Sequence, residues 1–225
     1  MKRLFCAAIL LTSALPAFAQ EPQGLPAPYI EIGVGAVFAP SVSTQTYTLT
    51  SGTTTATGKI DLNYDTGLAA GTEIGYAGIG MPELRLGLSY DYLEGKFSDG
   101  RVVGTVNGTP GSFAFTRADL TSVGVGSALD NDVHVLMGNA YYSFPMLGPV
   151  RPYLGAGLGV AFLSHAGSNF AFSATAGFRV ELTDQSYLGL RYRFYDVQGP
   201  TDDLGIKYES LTASSVMAML GMYLN

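Results

Sequence analysis

The sequence has little charge, one cysteine and no tryptophan. Only 13% of its 225 residues are charged, roughly half the share in an average soluble domain. Because 47% of the residues are hydrophobic, the composition excludes a wholly disordered chain, which would be poor in apolar residues. No run of about 18 apolar residues occurs, which excludes a bundle of membrane-spanning helices. The chain is therefore apolar in bulk without being continuously apolar.

The first residues resemble a leader more than a folded segment. Lys2 and Arg3 provide a short positive start, and the apolar stretch Leu4–Leu15 that follows is too short to span a bilayer. Ala17 and Ala19 are small residues at the positions that a signal peptidase requires. A membrane anchor is the alternative, but the segment lacks a stop-transfer flank. The pattern therefore predicts a cleaved secretory signal peptide.

We predict a signal peptide over residues 1–19, cut between Ala19 and Gln20, and a single exported domain over residues 20–225. Cys6 is the only cysteine and lies in the leader, so the exported chain has no disulfide even though export would permit one. The net charge of −6 becomes more negative when the leader is removed. Because nucleic-acid binding needs a basic face, we expect no nucleic-acid partner.

Apolar and polar residues alternate with a period of two along most of the remaining chain. Near residue 155, one parity holds Leu154, Leu158 and Val160, whereas the other holds Arg151 and several glycines. Successive side chains of a strand point to opposite faces, so each such segment has a bulky apolar face and a small or charged face. Eight segments show this pattern: Tyr29–Phe38, Leu68–Tyr76, Glu83–Tyr92, Val135–Phe144, Arg151–Phe162, Ala171–Leu182, Tyr187–Tyr195 and Ser215–Leu224.

The alternation is weakest in the fourth and eighth segments. There we predict Leu136 and Tyr142 on the apolar face with Asn139 opposite, and Val216 and Leu220 on the apolar face. An even number of strands suits a closed barrel whose two ends lie on the same side of a membrane. The fold class predicted from the pattern is all-β, an eight-stranded antiparallel up-and-down transmembrane barrel.

The apolar face is predicted to point outward. An eight-stranded barrel has an interior barely wide enough for its own side chains, so the bulky residues would overfill it whereas glycines fit. Lysine, which soluble surfaces use freely, occurs after the leader only at Lys59, Lys96 and Lys207, all outside the strands. A soluble lipocalin-like barrel is the alternative, and the small interior argues against it. Aromatic residues near the strand ends are predicted to form membrane girdles: Tyr76, Tyr142 and Phe144 at one rim, and Tyr90, Tyr92, Phe162, Phe172 and Phe194 at the other.

The opposite parity carries ten charged residues, five of each sign, and these are the candidate interior site. They are Glu31, Glu73, Glu83, Asp91 and Glu181 with Arg85, Arg151, Arg179, Arg191 and Arg193. A polar ion path is one interpretation. We favour a self-neutralising network of ion pairs that fills the barrel, because narrow barrels are normally plugged by side chains.

The connections between strands alternate in length, with short turns at 77–82, 145–150 and 183–186 and longer loops between them, as in outer-membrane barrels. Within the loop 93–134, Arg101–Val106 and Ser112–Thr116 flank a glycine- and proline-rich turn and are predicted to form a hairpin. Thr44–Thr57, rich in Thr and Ser, is predicted to be a mobile polar loop.

Three segments carry a resemblance to a known family: Arg151–Gly159 (RPYLGAGLG), Ala174–Arg179 (ATAGFR) and Tyr187–Arg193 (YLGLRYR). The chain resembles the small outer-membrane barrels of Gram-negative bacteria, specifically the opacity-protein-like surface antigens. One departure is the end of the chain, where Leu224 and Asn225 stand in place of the usual outward aromatic. The resemblance implies a surface antigen or adhesin-like role, contact with outer-membrane lipid and lipopolysaccharide, and assembly by the barrel assembly machinery.

Two other functions stay open from the sequence. A narrow diffusion channel would use the interior charges, and a lipid A-modifying enzyme would need a nucleophile or base at the outer rim. The rim candidates are Ser164 with His165, and His134 with Asp130 and Asp132, but no spacing signature links them. Loose Ca²⁺ binding is conceivable at Asp130, Asp132, Asp202 and Asp203, although no ligand-loop pattern is present. We expect no catalytic residue, cofactor or metal, and we expect the loops to bind host or environmental surface ligands.

Overall fold

The fold is that of a computed structural model, and the residues it describes are 26–39, 41–122, 129–130, 132–164, 167–199, 201 and 207–224. The predicted signal peptide and its cleavage residues, Ala19 and Gln20, lie outside this part of the chain. So do four residues named above: His165, Asp202, Asp203 and Asn225.

The described chain is almost entirely strand. In chain order the elements are β1 (Ala27–Phe38), β2 (Val42–Ser43), β3 (Tyr47–Ser51), β4 (Thr54–Asp65), β5 (Gly67–Ala77), β6 (Leu84–Leu93), β7 (Lys96–Val106), β8 (Thr109–Thr116), α1 (Arg117–Ser122), β9 (Val133–Ser143), β10 (Val150–Leu163), β11 (Gly167–Glu181), β12 (Ser186–Val197) and β13 (Leu211–Tyr223). Among the described residues, no helix has both the length and the apolar character to cross a membrane.

Eight strands close into one barrel in the order β1-β13-β12-β11-β10-β9-β6-β5, with β5 pairing back to β1. Every pair in this barrel is antiparallel. All eight correspond to the predicted segments, and their bounds differ from the predicted ones by a few residues. The predicted fold class is therefore confirmed.

The apolar parity faces outward, as predicted. Large apolar side chains project from the wall, including Leu158, which is 63% exposed, and Ile32, which is 55% exposed. The faces predicted for the two segments with the weakest alternation are confirmed as well: Leu136 and Leu220 are exposed, and Asn139 is buried inside the barrel. Because closure pairs every barrel strand on both sides, the barrel leaves no unpaired strand edge in its wall.

The two ends of the barrel differ. Short connections at 78–83, 144–149 and 182–185 join strands at one end, here called the turn end. The other end, called the loop end, carries the long connections 39–66, 94–132 and 198–210, and also the three-residue connection 164–166 between β10 and β11. The predicted alternation of short and long connections is confirmed except at 163–170, where the predicted longer loop is a connection of only three residues, 164–166.

The long connections form a second sheet at the loop end. This loop-end sheet consists of β2, β4, β7 and β8 in that order, with β3 also paired to β4. Because β4 leads almost directly into β5 and β6 into β7, the β4–β7 pair continues the β5–β6 ribbon of the wall beyond the barrel. The loop-end sheet is therefore an extension of the barrel and not a separate domain.

The predicted hairpin in the longest loop is confirmed and is longer than expected. The turn consists of Asn107 and Gly108, which have φ angles of 49° and 81°, as a two-residue hairpin turn of type I′ requires. The prediction of a mobile loop over Thr44–Thr57 was wrong, since β3 and the first four residues of β4 lie there and Thr44 is 1% exposed. Threonine has a high strand propensity, and within this stretch β3 pairs with the start of β4, which in turn pairs with β7.

The barrel interior has two layers. Toward the turn end it holds charged and tyrosine side chains, whereas toward the loop end an apolar cluster fills it. The cluster comprises Val37, Ala69, Leu93, Val133, Val135, Met137, Ala161, Leu163, Ala171, Tyr195, Val197, Ala213, Met217 and Met219. The expectation that inward residues are only charged or small was therefore wrong for the loop-end half.

Candidate functional site

The centre of the interior charge network joins two arginines of β12 to two carboxylates. Arg191 donates to Asp91 Oδ1 over 2.9 Å, and Arg193 donates to Asp91 Oδ2 over 2.5 Å. Glu73 Oε2 lies 3.5 Å from Arg191 Nη1 and 3.4 Å from Arg193 Nη2. All four side chains are at most 1% exposed, so each charge depends on its partners in place of water.

A second group of contacts surrounds Arg85 near the turn end. Arg85 Nη1 donates to Glu31 Oε1 over 2.9 Å, and the Tyr187 hydroxyl donates to the same oxygen over 2.6 Å. The guanidinium carbon also lies 5.1 Å from the ring centroids of Tyr29 and Tyr141. Such placement over aromatic faces adds cation–π attraction to the ion pair.

Tyrosines connect the two groups, and they were not identified from the sequence. The hydroxyls of Tyr29 and Tyr141 donate to the two oxygens of Glu73, each over 2.6 Å, and Arg193 also donates to the Tyr141 hydroxyl. Each tyrosine lies two residues from a charged or polar residue on the same strand, Tyr29 from Glu31 and Tyr141 from Asn139, so both point into the barrel. Their position in the alternation was the signal that could have identified them as interior residues. It was missed because aromatic residues were assigned to the lipid-facing wall.

Glycine makes room for this network on the inner wall. A Cβ atom at Gly87 would lie 2.5 Å from Glu73 Oε1 and 2.5 Å from the Tyr29 hydroxyl, closer than real Cβ contacts come. At Gly71 it would lie 2.2 Å from Asp91 Oδ1. The glycines of the charged parity therefore leave the space that these long side chains occupy.

The structure places the remaining predicted interior residues near the turn end. Arg179 and Glu181 are buried, with Nε and Oε1 3.4 Å apart, and Arg151 is partly exposed. The prediction that Glu83 is a strand residue facing inward was wrong: it lies in the turn before β6 and is partly exposed. The turn is closed by the Leu84 amide donating to the Met81 carbonyl oxygen over 3.1 Å, so the strand begins one residue later than predicted.

A bidentate ion pair fastens the base of the loop-end sheet. Arg117 donates to both oxygens of Asp130 over 2.6 and 2.8 Å, and the Phe97 amide donates to Asp130 over 3.0 Å. Hydrogen bonding from Arg117 holds the pKa of the Asp130 carboxyl below its ordinary value of 3.8. Phe97 is fully buried and packs against the rings of Tyr64 and Phe115, and burial raises the pKa of Tyr64 to about 12.

A family profile described as "Outer membrane protein beta-barrel domain" matches residues 5–218. The chain belongs to this family of outer-membrane β-barrel proteins. The match covers nearly the whole chain, so it includes all the barrel strands in whole or in part. The resemblance noted from the sequence is thereby confirmed at the level of outer-membrane barrels.

Relatives of this outer-membrane barrel include an uncharacterized protein of Brucella abortus, 28% identical over 169 residues. That alignment covers 62% of this chain and 55% of the relative, so the chain spans about half the length of the curated relatives it matches. Among solved structures, Neisserial surface protein A superposes with a TM-score of 0.55 at 14% identity, covering 88% of this chain and 97% of that one. The outer membrane protein OprG from Pseudomonas aeruginosa gives a TM-score of 0.42 at 16% identity, covering 90% and 99%.

In an outer-membrane barrel, long loops face the outside of the cell and short turns face the periplasm. We therefore expect the loop-end sheet to lie on the extracellular side. The residues predicted to form the aromatic girdles lie on the outward face: Tyr76, Tyr142 and Phe144 near the turn end, and Tyr90, Tyr92, Phe162, Phe172 and Phe194 near the loop end. Their role at the membrane interfaces stays a prediction.

The rim residues considered for catalysis are engaged in local contacts of this outer-membrane barrel. Ser164 Oγ donates to the Asp132 carbonyl oxygen over 3.1 Å, and His134 Nδ1 lies 2.6 Å from the Tyr90 hydroxyl. Asp130 binds Arg117, as described above. Among the described residues, no group of three or more His, Cys, Asp or Glu side chains could hold a metal ion.

Proposed function

We propose that this outer-membrane barrel is a structural surface protein in which the loop-end sheet performs recognition of a surface-antigen or adhesin-like kind. The observation that carries this proposal is that the long loops form an ordered sheet of five strands above a filled barrel. An ordered sheet presents a defined surface at lower entropic cost than a mobile loop. Its ligands belong to the surfaces that the cell meets, and lipopolysaccharide surrounds the barrel wall.

The filled interior favours this role over diffusion. Asp91, Arg191 and Arg193 fill one level, and Met137 and Met217, both fully buried, occupy the apolar level above. An ion crossing the barrel would have to displace both a neutralised charge network and an apolar layer that offers it no charged partner. We therefore expect planar bilayers containing the protein to show no steady conductance, and conductance steps altered by Glu73→Gln would favour the channel instead.

Catalysis is not proposed. A lipid A-modifying enzyme needs a nucleophile and a base within hydrogen-bond reach of each other. Among the described residues, Ser164 Oγ donates to the Asp132 carbonyl oxygen and His134 contacts Tyr90, and neither contact joins a nucleophile to a base. Deletion of the gene is expected to leave the lipid A mass spectrum unchanged. A mass shift restored by the wild-type gene but not by Ser164→Ala would establish the enzyme.

The recognition role is tested with the full chain displayed on Gram-negative cells. In the matched variant, residues 101–114 are replaced by a short Gly-Ser turn, which removes most of the β7–β8 hairpin and leaves every barrel strand. Heat-dependent mobility in detergent gels checks that both proteins form barrels. We expect wild-type cells to adhere to epithelial monolayers or matrix-coated surfaces. The adhesion of variant cells should fall to that of cells without the protein. Equal adhesion by both would contradict the proposed role.

A further inference from the structure

The two edges of the loop-end sheet differ. At the β2 edge, an extended segment of the same chain adds alongside: the Gln45 amide donates to the Lys207 carbonyl oxygen over 2.8 Å, and the Glu209 amide donates to the Ser43 carbonyl oxygen over 3.0 Å. The Tyr47 hydroxyl also bonds to the backbone of Lys207. The part of this edge formed by β2 is therefore covered by strand addition within the molecule, whereas β3, further along it, pairs only with β4 among the described residues.

The opposite edge is β8, which in the described part of the chain pairs only with β7. Thr109 pairs with Val106 across the two-residue turn, and in such a turn these flanking residues are hydrogen-bonded to each other. Because hydrogen-bonded and non-hydrogen-bonded pairs alternate in an antiparallel ladder, the amides of Ser112, Ala114 and Thr116 point away from β7.

The far end of this edge supplies an independent check. The Thr116 amide donates to Asp119 Oδ2 over 2.8 Å, so it does point away from β7 and is occupied. At the near end Pro110 has no amide to donate. The available edge is therefore short and centred on the backbone of Ser112 and Ala114.

Edge strands are normally protected by charges, proline or bulges. Between its two blocked ends β8 carries no charge of its own, and the charge next to it is that of Arg101 on β7, which donates to Ser112 Oγ over 3.1 Å. Residues 109–116 (TPGSFAFT) contain no charged side chain, and Ser112 and Ala114 are both exposed. Gly58, Gly104 and Gly111 lie opposite one another on β4, β7 and β8. They form the floor of a groove beside this edge. Among the described residues, none that lines the groove is charged, and Phe113, which is 68% exposed, projects on the same side.

We propose that the β8 edge binds an extended, uncharged segment of a partner protein by strand addition, with its backbone paired to Ser112 and Ala114. Alternate apolar side chains of the segment contact the glycine-floored groove, since a strand directs every second side chain to one face. The covered β2 edge shows that this sheet accepts an extended segment in the same manner. This inference rests on the proposed recognition role and names the class of partner.

A second copy in the same membrane fits this edge less well. Copies side by side in a membrane are related by an axis along its normal, and β7–β8 extends the barrel wall outward. The β8 strands of two such copies would run in the same direction, and parallel pairing is slightly less stable per residue. A partner segment has no such restriction and can pair antiparallel.

The test uses the full chain in detergent micelles and a fluorescein-labelled peptide of eight alternating Thr and Val residues. The peptide is N-methylated at every second residue so that it pairs along one edge only, and a fully N-methylated peptide serves as the control. Ala114→Pro removes an outward amide without removing a bond to β7, and edge strands accept proline at such positions. Ala114→Val is the matched control, because it keeps the amide and raises strand propensity.

Fluorescence anisotropy is expected to show binding by the wild type and Ala114→Val, and at least about tenfold weaker binding by Ala114→Pro, as loss of one or two backbone hydrogen bonds implies. Ser112→Pro is expected to have the same effect, and unchanged hydrogen-exchange protection of β7 shows that the hairpin has not unfolded. Equal affinity of Ala114→Pro and the wild type would overturn the proposal. So would Ala114-dependent self-association of the wild type, which would make the occupant a second copy.

Adhesion separates this proposal from the one it rests on. If the hairpin replacement abolishes adhesion and Ala114→Pro reduces it as well, both are supported. If the replacement abolishes adhesion but Ala114→Pro adheres as the wild type does, recognition uses another face, and only the strand-addition proposal is overturned.

Discussion

Arg193 and Asp91 are 102 residues apart in the chain, yet Arg193 Nη1 lies 2.5 Å from Asp91 Oδ2 inside the barrel. Neither side chain is exposed. The same aspartate also receives a hydrogen bond from Arg191. Asp91 therefore bonds to two buried guanidinium groups at once, and Glu73, 3.5 and 3.4 Å from the same two arginines, supplies the second negative charge.

Asp91→Asn is expected to lower the free energy of unfolding by about 3–5 kcal/mol, the usual cost of removing one partner of a buried ion pair. Urea unfolding in detergent, followed by heat-dependent gel mobility, measures the change. Asp184→Asn, at an exposed position in a turn-end connection, is the control and should behave as the wild type. Similar stability of the two variants would show that the interior pairing contributes little.

The glycines on the two faces of the wall should respond differently to alanine. At Gly159, on the inner face, a Cβ atom would lie 2.0 Å from the Leu136 carbonyl oxygen, whereas at Gly138, on the outer face, the nearest atom is 3.9 Å away. Gly159→Ala is therefore expected to destabilise the barrel by about 1–3 kcal/mol through overpacking. Gly138→Ala should be neutral. The yield of each variant on refolding into lipid vesicles measures the difference. Equal yields would contradict the assignment of Gly159 to the inner face and Gly138 to the outer face.

An arginine introduced on the lipid-facing wall should lower the free energy of unfolding, whereas one introduced on the loop-end sheet should not. Leu158 and Leu49 are 63% and 72% exposed, but only Leu158 lies on a barrel strand. Leu158→Arg is expected to cost about 2–4 kcal/mol if this residue lies near the bilayer midplane, and Leu49→Arg to cost little. The free energies of unfolding of the two variants are compared by reversible folding into vesicles at several denaturant concentrations. A soluble barrel would tolerate both changes.

Acid should loosen the base of the loop-end sheet. Hydrogen bonding from Arg117 depresses the pKa of Asp130, so this carboxylate stabilises the sheet above its unfolded pKa, and the contribution is lost as pH falls through the lower folded value. A spin label at Thr109→Cys in a Cys6→Ser background should keep constant mobility from pH 7 to about 4 and become more mobile below that range. With Asp130→Asn the label should already be mobile at pH 7. Mobility independent of pH in both proteins would disprove the role of the ion pair.

Leu158 and Arg191 illustrate how much of the fold is readable from sequence. Each lies in a segment of strict alternation, and the outward and inward positions of both were predicted correctly. Val135 and Met137 share the inward parity but lie among apolar residues on both sides, so the apolar layer was missed. Glu83 was misplaced because the alternation extends one residue into a turn that only its hydrogen bond defines.

The sequence by itself determined the alternation, the number of barrel strands, the face of each and most of the interior charges. These follow from neighbouring residues, because the direction of a strand side chain depends only on parity. Tertiary structure alone decided which arginine meets which carboxylate, that tyrosines join them, and that the long loops pair into a sheet with one covered edge. Those features depend on contacts between residues distant in the chain, and local patterning carries no information about which distant strand supplies the partner.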